Sequence, residues 1–211
     1  MMNFISNKFI KNITSYISSY IFRFIINFYV TTEIINYLGY ENFGIFSYIV
    51  ALGSIFSGFV SLGYEQIIPR ILNDQKSNYK YSEKILINAF NSVFVVGLLV
   101  YLSFLFFVNS FDSEYFLFAL IYGLIFPLSA YNVIKYYFEY YKKIVWLSRI
   151  NNLTIVCVAF LKILIIYLNL GLLTLFIVSF IEFFILFLFH IILFKFHNKT
   201  FHFLFQIDKK I

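Results

Sequence analysis

Six long apolar stretches dominate this chain. They cover residues 14–37, 44–63, 85–108, 115–136, 146–168 and 172–194, and each has roughly the 20 residues that an α-helix needs to cross a bilayer. Hydrophobic residues make up 62% of the 211 positions and charged residues only 12%, whereas a soluble domain has about 25% charged residues. The sequence therefore predicts an all-α integral membrane protein with six transmembrane helices.

Basic residues gather at alternate ends of these stretches. Fourteen of the 16 Lys and Arg residues lie in the N-terminal segment, around the ends of the second and fourth stretches, and in the C-terminal tail. The connections after the first, third and fifth stretches contain none. Because Lys and Arg concentrate in cytoplasmic loops, this pattern predicts six spans with both termini in the cytoplasm. Membrane topology thus accounts for the net charge of +6 without a nucleic-acid partner.

The other two basic residues, Arg23 and Lys162, lie inside predicted helices. Arg23 is nine residues into the first helix, which is roughly 14 Å and near the bilayer centre. Tyr20, Arg23 and Asn27 follow one another at spacings of three and four, so they share one helix face. Arginine keeps its charge and has a fork geometry suited to phosphate. This pattern favours a functional role for Arg23, and an interhelical salt bridge is the alternative.

Lys162 and Glu182 are a second pair of intramembrane charges. The last two helices form a hairpin around Leu170, and the two residues differ in depth by roughly 6 Å, which a lysine side chain can span. Two interpretations follow: a buried ion pair that offsets the cost of both charges, or a role in substrate binding or proton coupling by Glu182. The sequence leaves both open.

Two features concern helix geometry. Pro127 removes one backbone hydrogen bond from the fourth helix and predicts a kink there. In the second helix, Gly53, Ser57 and Ser61 lie beside Ser54 and Gly58, and small residues at this spacing predict close approach of another helix.

The chain carries no catalytic or cofactor signature. It has no Gly-rich phosphate loop, no His pair at metal spacing and no nucleophile motif, and its single cysteine, Cys157, lies in an apolar run. His190 is expected to be a packed residue. We expect no enzyme activity, no cofactor and no metal.

Three segments resemble one family of membrane proteins. They are YLGYENFGIFSYIVALGSIFSGFVSLGYEQIIPRIL at residues 37–72, YYFEYYKK at 136–143 and KILIIYLNLGLL at 162–173. These segments are similar to the corresponding regions of Wzx-type polysaccharide flippases, which have a MOP/MATE-like fold of two six-helix lobes. The resemblance implies that residues 1–211 are one lobe, corresponding to the N-terminal half.

The resemblance also implies a function. Such proteins move an undecaprenyl-diphosphate-linked oligosaccharide, the O-antigen or capsule repeat unit, across the bacterial inner membrane. It implies a substrate-facing role for Arg23 and Lys162, with Tyr20 and Asn27 beside Arg23. Because family members usually have about twelve helices, a second six-helix lobe or a homodimer is expected. The alternatives are a MATE-like multidrug exporter, which would favour an intramembrane acid in the first helix, and a non-transporting subunit or truncated remnant.

Overall fold

The computed structural model describes residues 2–61, 63–74, 79–111, 113–140 and 144–197. All regular elements in these ranges are helical, and a 3₁₀ turn at Ser113–Tyr115 precedes α4. The α-helices are α1 (Met2–Val60), α2 (Tyr64–Asp74), α3 (Tyr79–Phe111), α4 (Phe116–Gly123), α5 (Ile125–Leu128), α6 (Tyr131–Tyr140), α7 (Ile144–Tyr167) and α8 (Leu172–His197).

Five helical segments among these residues are long and apolar enough to cross a membrane. They are Ile17–Leu72, Lys84–Phe111, Ser113–Glu139, Leu147–Tyr167 and Leu172–Phe196. Their length and composition identify a multi-pass membrane protein and support the predicted all-α class. The sequence predicts six spans, and the difference lies in the first segment, which holds two of the predicted helices in 56 residues.

The predicted connection at residues 38–43 is helical instead of a loop, and the break between the first two predicted helices is confined to Gly39. This residue has φ 70° and ψ 172° inside α1, a conformation that glycine adopts without the clash a Cβ would cause. Gly39 divides α1 into a first arm, residues 2–38, and a second arm, residues 40–60. After the second arm, Gly63, with φ 73°, turns the chain into α2.

The fourth predicted helix is interrupted around Pro127, as expected. It consists of α4, α5 and α6, with turns at Leu124 and at residues 129–130. At the first turn the Leu124 N–H donates to the Tyr122 carbonyl. The Tyr101 hydroxyl of α3 donates to the Leu120 carbonyl at 3.0 Å. One backbone bond and one side-chain bond thus satisfy carbonyls next to the break, as a membrane interior requires.

Two hydrophobic clusters hold the helices together. The larger one joins the second arm of α1 to α2, α3, the α4–α6 segment and α8, and Phe104, Phe126 and Phe176 are fully buried in it. The smaller one joins Val30 and Ile34 of the first arm to α7 and α8. Both arms of α1 therefore pack against α8, whereas α7 packs mainly against the first arm and α2, α3 and the α4–α6 segment pack against the second.

The helix ends whose connections carry no Lys or Arg lie close to one another. The Gly171 N–H, in the α7–α8 connection, donates to the Tyr37 hydroxyl at 2.8 Å, next to the Gly39 break. The Tyr48 and Tyr115 rings, 6.1 Å apart between centroids, bring the start of α4 to the same region. Asn169, with φ 54°, ends α7 in the left-handed conformation that terminates many helices. The connections after the first, third and fifth predicted helices thus meet at one end of the bundle.

Candidate functional site

Arg23 lies in a small polar cleft between α1, α6 and α7. The cleft has a volume of about 30 Å³, which holds a water molecule but not a phosphate group. Its polar and charged lining residues are Ser19, Tyr20, Arg23, Lys135, Glu139, Ser148, Asn151 and Asn152. The structure therefore brings Tyr20 and Arg23 together with side chains that are more than 110 positions away in the sequence.

The charges around this cleft do not cancel. The Lys135 ammonium lies 3.7 Å from the Glu139 carboxylate, one helical turn along α6. These two charges neutralise each other, which leaves the positive charge of Arg23 as the net charge of the cleft. Ser148 also lines the cleft, and the α7 span begins at Leu147, so Arg23 lies toward the basic end of the bundle and not near the bilayer centre that the sequence predicts. A charge within a membrane-spanning helix is normally paired or functional, so this residue needs a partner.

Two polar atoms in the cleft have no hydrogen-bond partner among the described residues. They are the Nε of Arg23 and the Oδ1 of Asn152, and both are buried. The Asn152 amide donates instead to the Ser19 hydroxyl at 3.1 Å, which ties α7 to α1. An unsatisfied buried polar group costs about 1–3 kcal/mol. The cleft is thus suited to a guest with both donor and acceptor atoms, such as water.

Asn27 is not part of this cleft. Arg23, Val30 and Ile34 lie seven and four residues apart, so they share the face of α1 that packs into the bundle. Asn27 is rotated away from that face and is exposed. A spacing of four turns Asn27 about 40° around the helix from Arg23 and about 60° from Val30, so Asn27 lies at the edge of the packed face.

Lys162 and Glu182 form an ion pair between α7 and α8. The Lys162 Nζ lies 3.6 Å from the Glu182 Oε2, and the side chains are 17% and 25% exposed. Neither residue lines the Arg23 cleft. The hairpin geometry expected from the sequence is therefore present, and a role of either residue in substrate binding or proton coupling stays a prediction.

A larger cavity lies elsewhere in the bundle, and sequence reasoning did not identify it. Its volume is about 270 Å³, and it is lined by the second arm of α1, by α2, α3, α4, α5 and α6, and by Phe183 of α8. Ser54, Ser57 and Ser61 line it, although the sequence indicated only helix packing for this stripe. The expected close approach occurs at Gly53, where a Cβ would collide with the Tyr122 ring, and not at Gly58.

The histidines are the remaining side chains that could bind a ligand or a metal ion. His190 is fully buried, and its Nδ1 lies 2.7 Å from the Leu186 carbonyl oxygen. Within the described ranges, no three His, Cys, Asp or Glu side chains cluster in a way that could hold a metal ion. His197 has no described side chain, and His202 lies outside the described residues.

Most of the chain matches a known protein family. The model of the polysaccharide biosynthesis protein family, Polysacc_synt, matches residues 8–210. The chain belongs to this family. It is the family of Wzx-type polysaccharide flippases and MOP exporters, so the resemblance carried by residues 37–72, 136–143 and 162–173 is confirmed. Family members are transporters rather than enzymes. No curated protein and no solved structure matches this chain.

Proposed function

We propose that this polysaccharide biosynthesis protein translocates an undecaprenyl-diphosphate-linked oligosaccharide, an O-antigen or capsule repeat unit, across the bacterial inner membrane. The observation that carries this proposal is the Arg23 cleft. Its guanidinium has an unsatisfied Nε and a charge that no acid in the cleft offsets, because Glu139 is paired with Lys135. A diphosphate supplies both missing elements: negative charge and several acceptor oxygens.

The described conformation corresponds to a closed state of this site. A cleft of about 30 Å³ cannot admit a diphosphate, so α1, α6 and α7 separate when the substrate binds. Alternating access by rocking of bundles is the usual way in which transporters open such sites. In this scheme the diphosphate binds at Arg23 while the lipid tail stays in the bilayer.

The transport scheme includes six spans. Residues 17–38 and 40–60, on either side of Gly39, number 22 and 21, and as helices they measure about 33 Å and 31 Å. Each matches the hydrocarbon thickness of about 30 Å. We therefore assign one span to each arm of α1, with both termini in the cytoplasm. A second six-helix lobe, or a second copy of this chain, completes the transport path.

Replacement of Arg23 tests the function in cells. Arg23→Ala should abolish surface polysaccharide in a strain that depends on this protein, and Arg23→Lys, which keeps the charge and loses the fork, should retain part of it. Arg70→Ala is the matched control, because Arg70 is an exposed residue of α2 that lies outside the cleft. Immunoblots of membrane fractions show whether each variant inserts. Normal polysaccharide with Arg23→Ala would overturn the role of Arg23.

A further inference from the structure

The cavity of about 270 Å³ is a separate compartment of the bundle. None of its lining residues lines the Arg23 cleft. Helix α6 separates the two spaces: Asn132 and Tyr136 line the cavity, and Lys135 and Glu139 line the cleft. The two compartments are therefore adjacent and chemically different, since the cleft has a net positive charge and the cavity has no basic lining residue.

The lining of the cavity combines hydrogen-bonding groups with aromatic walls. Asn132 and Tyr122 line it, and within the described part of the chain neither the Asn132 side-chain amide nor the Tyr122 hydroxyl has a hydrogen-bond partner. The Ser54 and Ser57 hydroxyls donate to carbonyls of their own helix, at 2.6 Å and 2.8 Å, so their oxygens can still accept. Phe126 and Phe183 add apolar surface. The cavity thus offers donors, acceptors and ring faces to one occupant.

We propose that this cavity binds one neutral pyranose ring of the glycan that the protein carries. The inference rests on the proposed function, because it assigns the sugar part of that substrate to a site distinct from the diphosphate site. A pyranose has apolar ring faces and hydroxyl edges, which match aromatic walls and polar groups respectively. Pockets for drug-sized ligands occupy about 300–1,000 Å³, so about 270 Å³ fits one sugar ring.

Charge excludes other occupants. No cation lines the cavity, so an anionic group has no counter-charge there. Of the described lining residues, Glu65 alone is charged, and it is exposed at the α2 end of the space. Its carboxylate accepts a 3.4 Å hydrogen bond from the Tyr136 hydroxyl. All the other described lining residues are neutral, which favours a neutral ligand over an organic cation.

Protection of an introduced cysteine tests this assignment. In a Cys157→Ser background, Ser57→Cys places a thiol in the cavity with little change in size. Ser110→Cys is the control, because Ser110 is an exposed residue of α3 outside the cavity. The full chain in liposomes is treated with a maleimide, alone or with one of three probes. The probes are undecaprenyl diphosphate, the same lipid carrying one neutral hexose, and tetraphenylphosphonium.

The hexose-bearing lipid should slow alkylation at position 57 by about tenfold at ten times its dissociation constant. Undecaprenyl diphosphate alone should have no such effect, and neither lipid should affect position 110. Equal protection by both lipids, protection by tetraphenylphosphonium instead, or no alkylation of the unliganded Ser57→Cys variant would overturn the sugar pocket. Binding of both lipids is measured in parallel: if neither binds the wild-type chain, the proposed function itself fails.

Discussion

The Lys162 ammonium lies 3.6 Å from the Glu182 carboxylate across the α7–α8 hairpin. The side chains are mostly buried, so each charge depends on the other to offset its desolvation. Loss of either residue alone is therefore expected to destabilise the contact between α7 and α8.

The first prediction concerns this pair. Lys162→Met should destabilise the bundle by about 1–3 kcal/mol, because it leaves the Glu182 carboxylate without its counter-charge. The double variant Lys162→Met with Glu182→Leu should recover most of that loss, since it removes both desolvation costs. Thermal unfolding of the purified protein in detergent measures both effects. A double variant as unstable as the sum of the two single variants would contradict the pairing.

The second prediction concerns the charge of the Arg23 cleft. Glu139→Gln should release Lys135 from its ion pair and raise the net charge of the cleft from one positive charge to two. Affinity for undecaprenyl diphosphate should then rise, by up to about fivefold, since partly exposed charge pairs contribute up to about 1 kcal/mol. Glu114→Gln, at an exposed acid in the 3₁₀ turn, is the control. Binding to Glu139→Gln that is unchanged or weaker would argue against anion binding in this cleft.

The third prediction concerns the close approach of α3 to α5. A Cβ on Gly97 would lie 2.7 Å from the Pro127 Cα and 2.8 Å from the Phe126 carbonyl oxygen. Because these atoms belong to the backbone, Gly97→Ala should destabilise the protein by about 1–3 kcal/mol. Gly58→Ala is the matched control, since a Cβ at that position meets nothing within 4 Å. Equal melting temperatures for the two variants would show that the helices can separate without cost.

The fourth prediction concerns topology. With Cys157 replaced by Ser, single cysteines at Glu41 or Glu114 should react with an impermeant maleimide added outside spheroplasts. Cysteines at Arg70 or Lys84 should react only after the membrane is opened, because the basic ends are assigned to the cytoplasm. All four positions are exposed. Reaction at position 41 and position 70 from the same side would mean that the second arm of α1 does not cross the bilayer.

Several parts of this structure follow from local sequence rules. Hydropathy locates the membrane segments, since a stretch of about 20 apolar residues has few other stable environments. Pro127 predicts the interruption of the fourth segment, because its missing N–H is a local property. The depths of Lys162 and Glu182 follow from helical rise along a short hairpin.

Other parts depend on tertiary packing that local rules do not contain. Residues 38–43 contain no helix breaker except Gly39. The chain is therefore helical on both sides of Gly39, where the sequence predicts a loop. Asn27 lies outside the Arg23 cleft: helix spacing gives its angle around α1, but which part of that surface α7 covers depends on tertiary packing. The cavity at Ser54 and Ser57 requires that α6 places Asn132 and Tyr136 opposite them, more than 70 residues later in the chain.

Binding of the lipid-linked substrate tests the central claim most directly. The wild-type chain, the Arg23→Ala variant and the Arg70→Ala control are reconstituted in nanodiscs and titrated with undecaprenyl-diphosphate-linked oligosaccharide. We predict that Arg23→Ala weakens binding by at least about tenfold, which corresponds to about 1.4 kcal/mol, and that Arg70→Ala binds like wild type. Equal affinities for all three proteins would show that Arg23 does not bind the diphosphate, and would contradict the account.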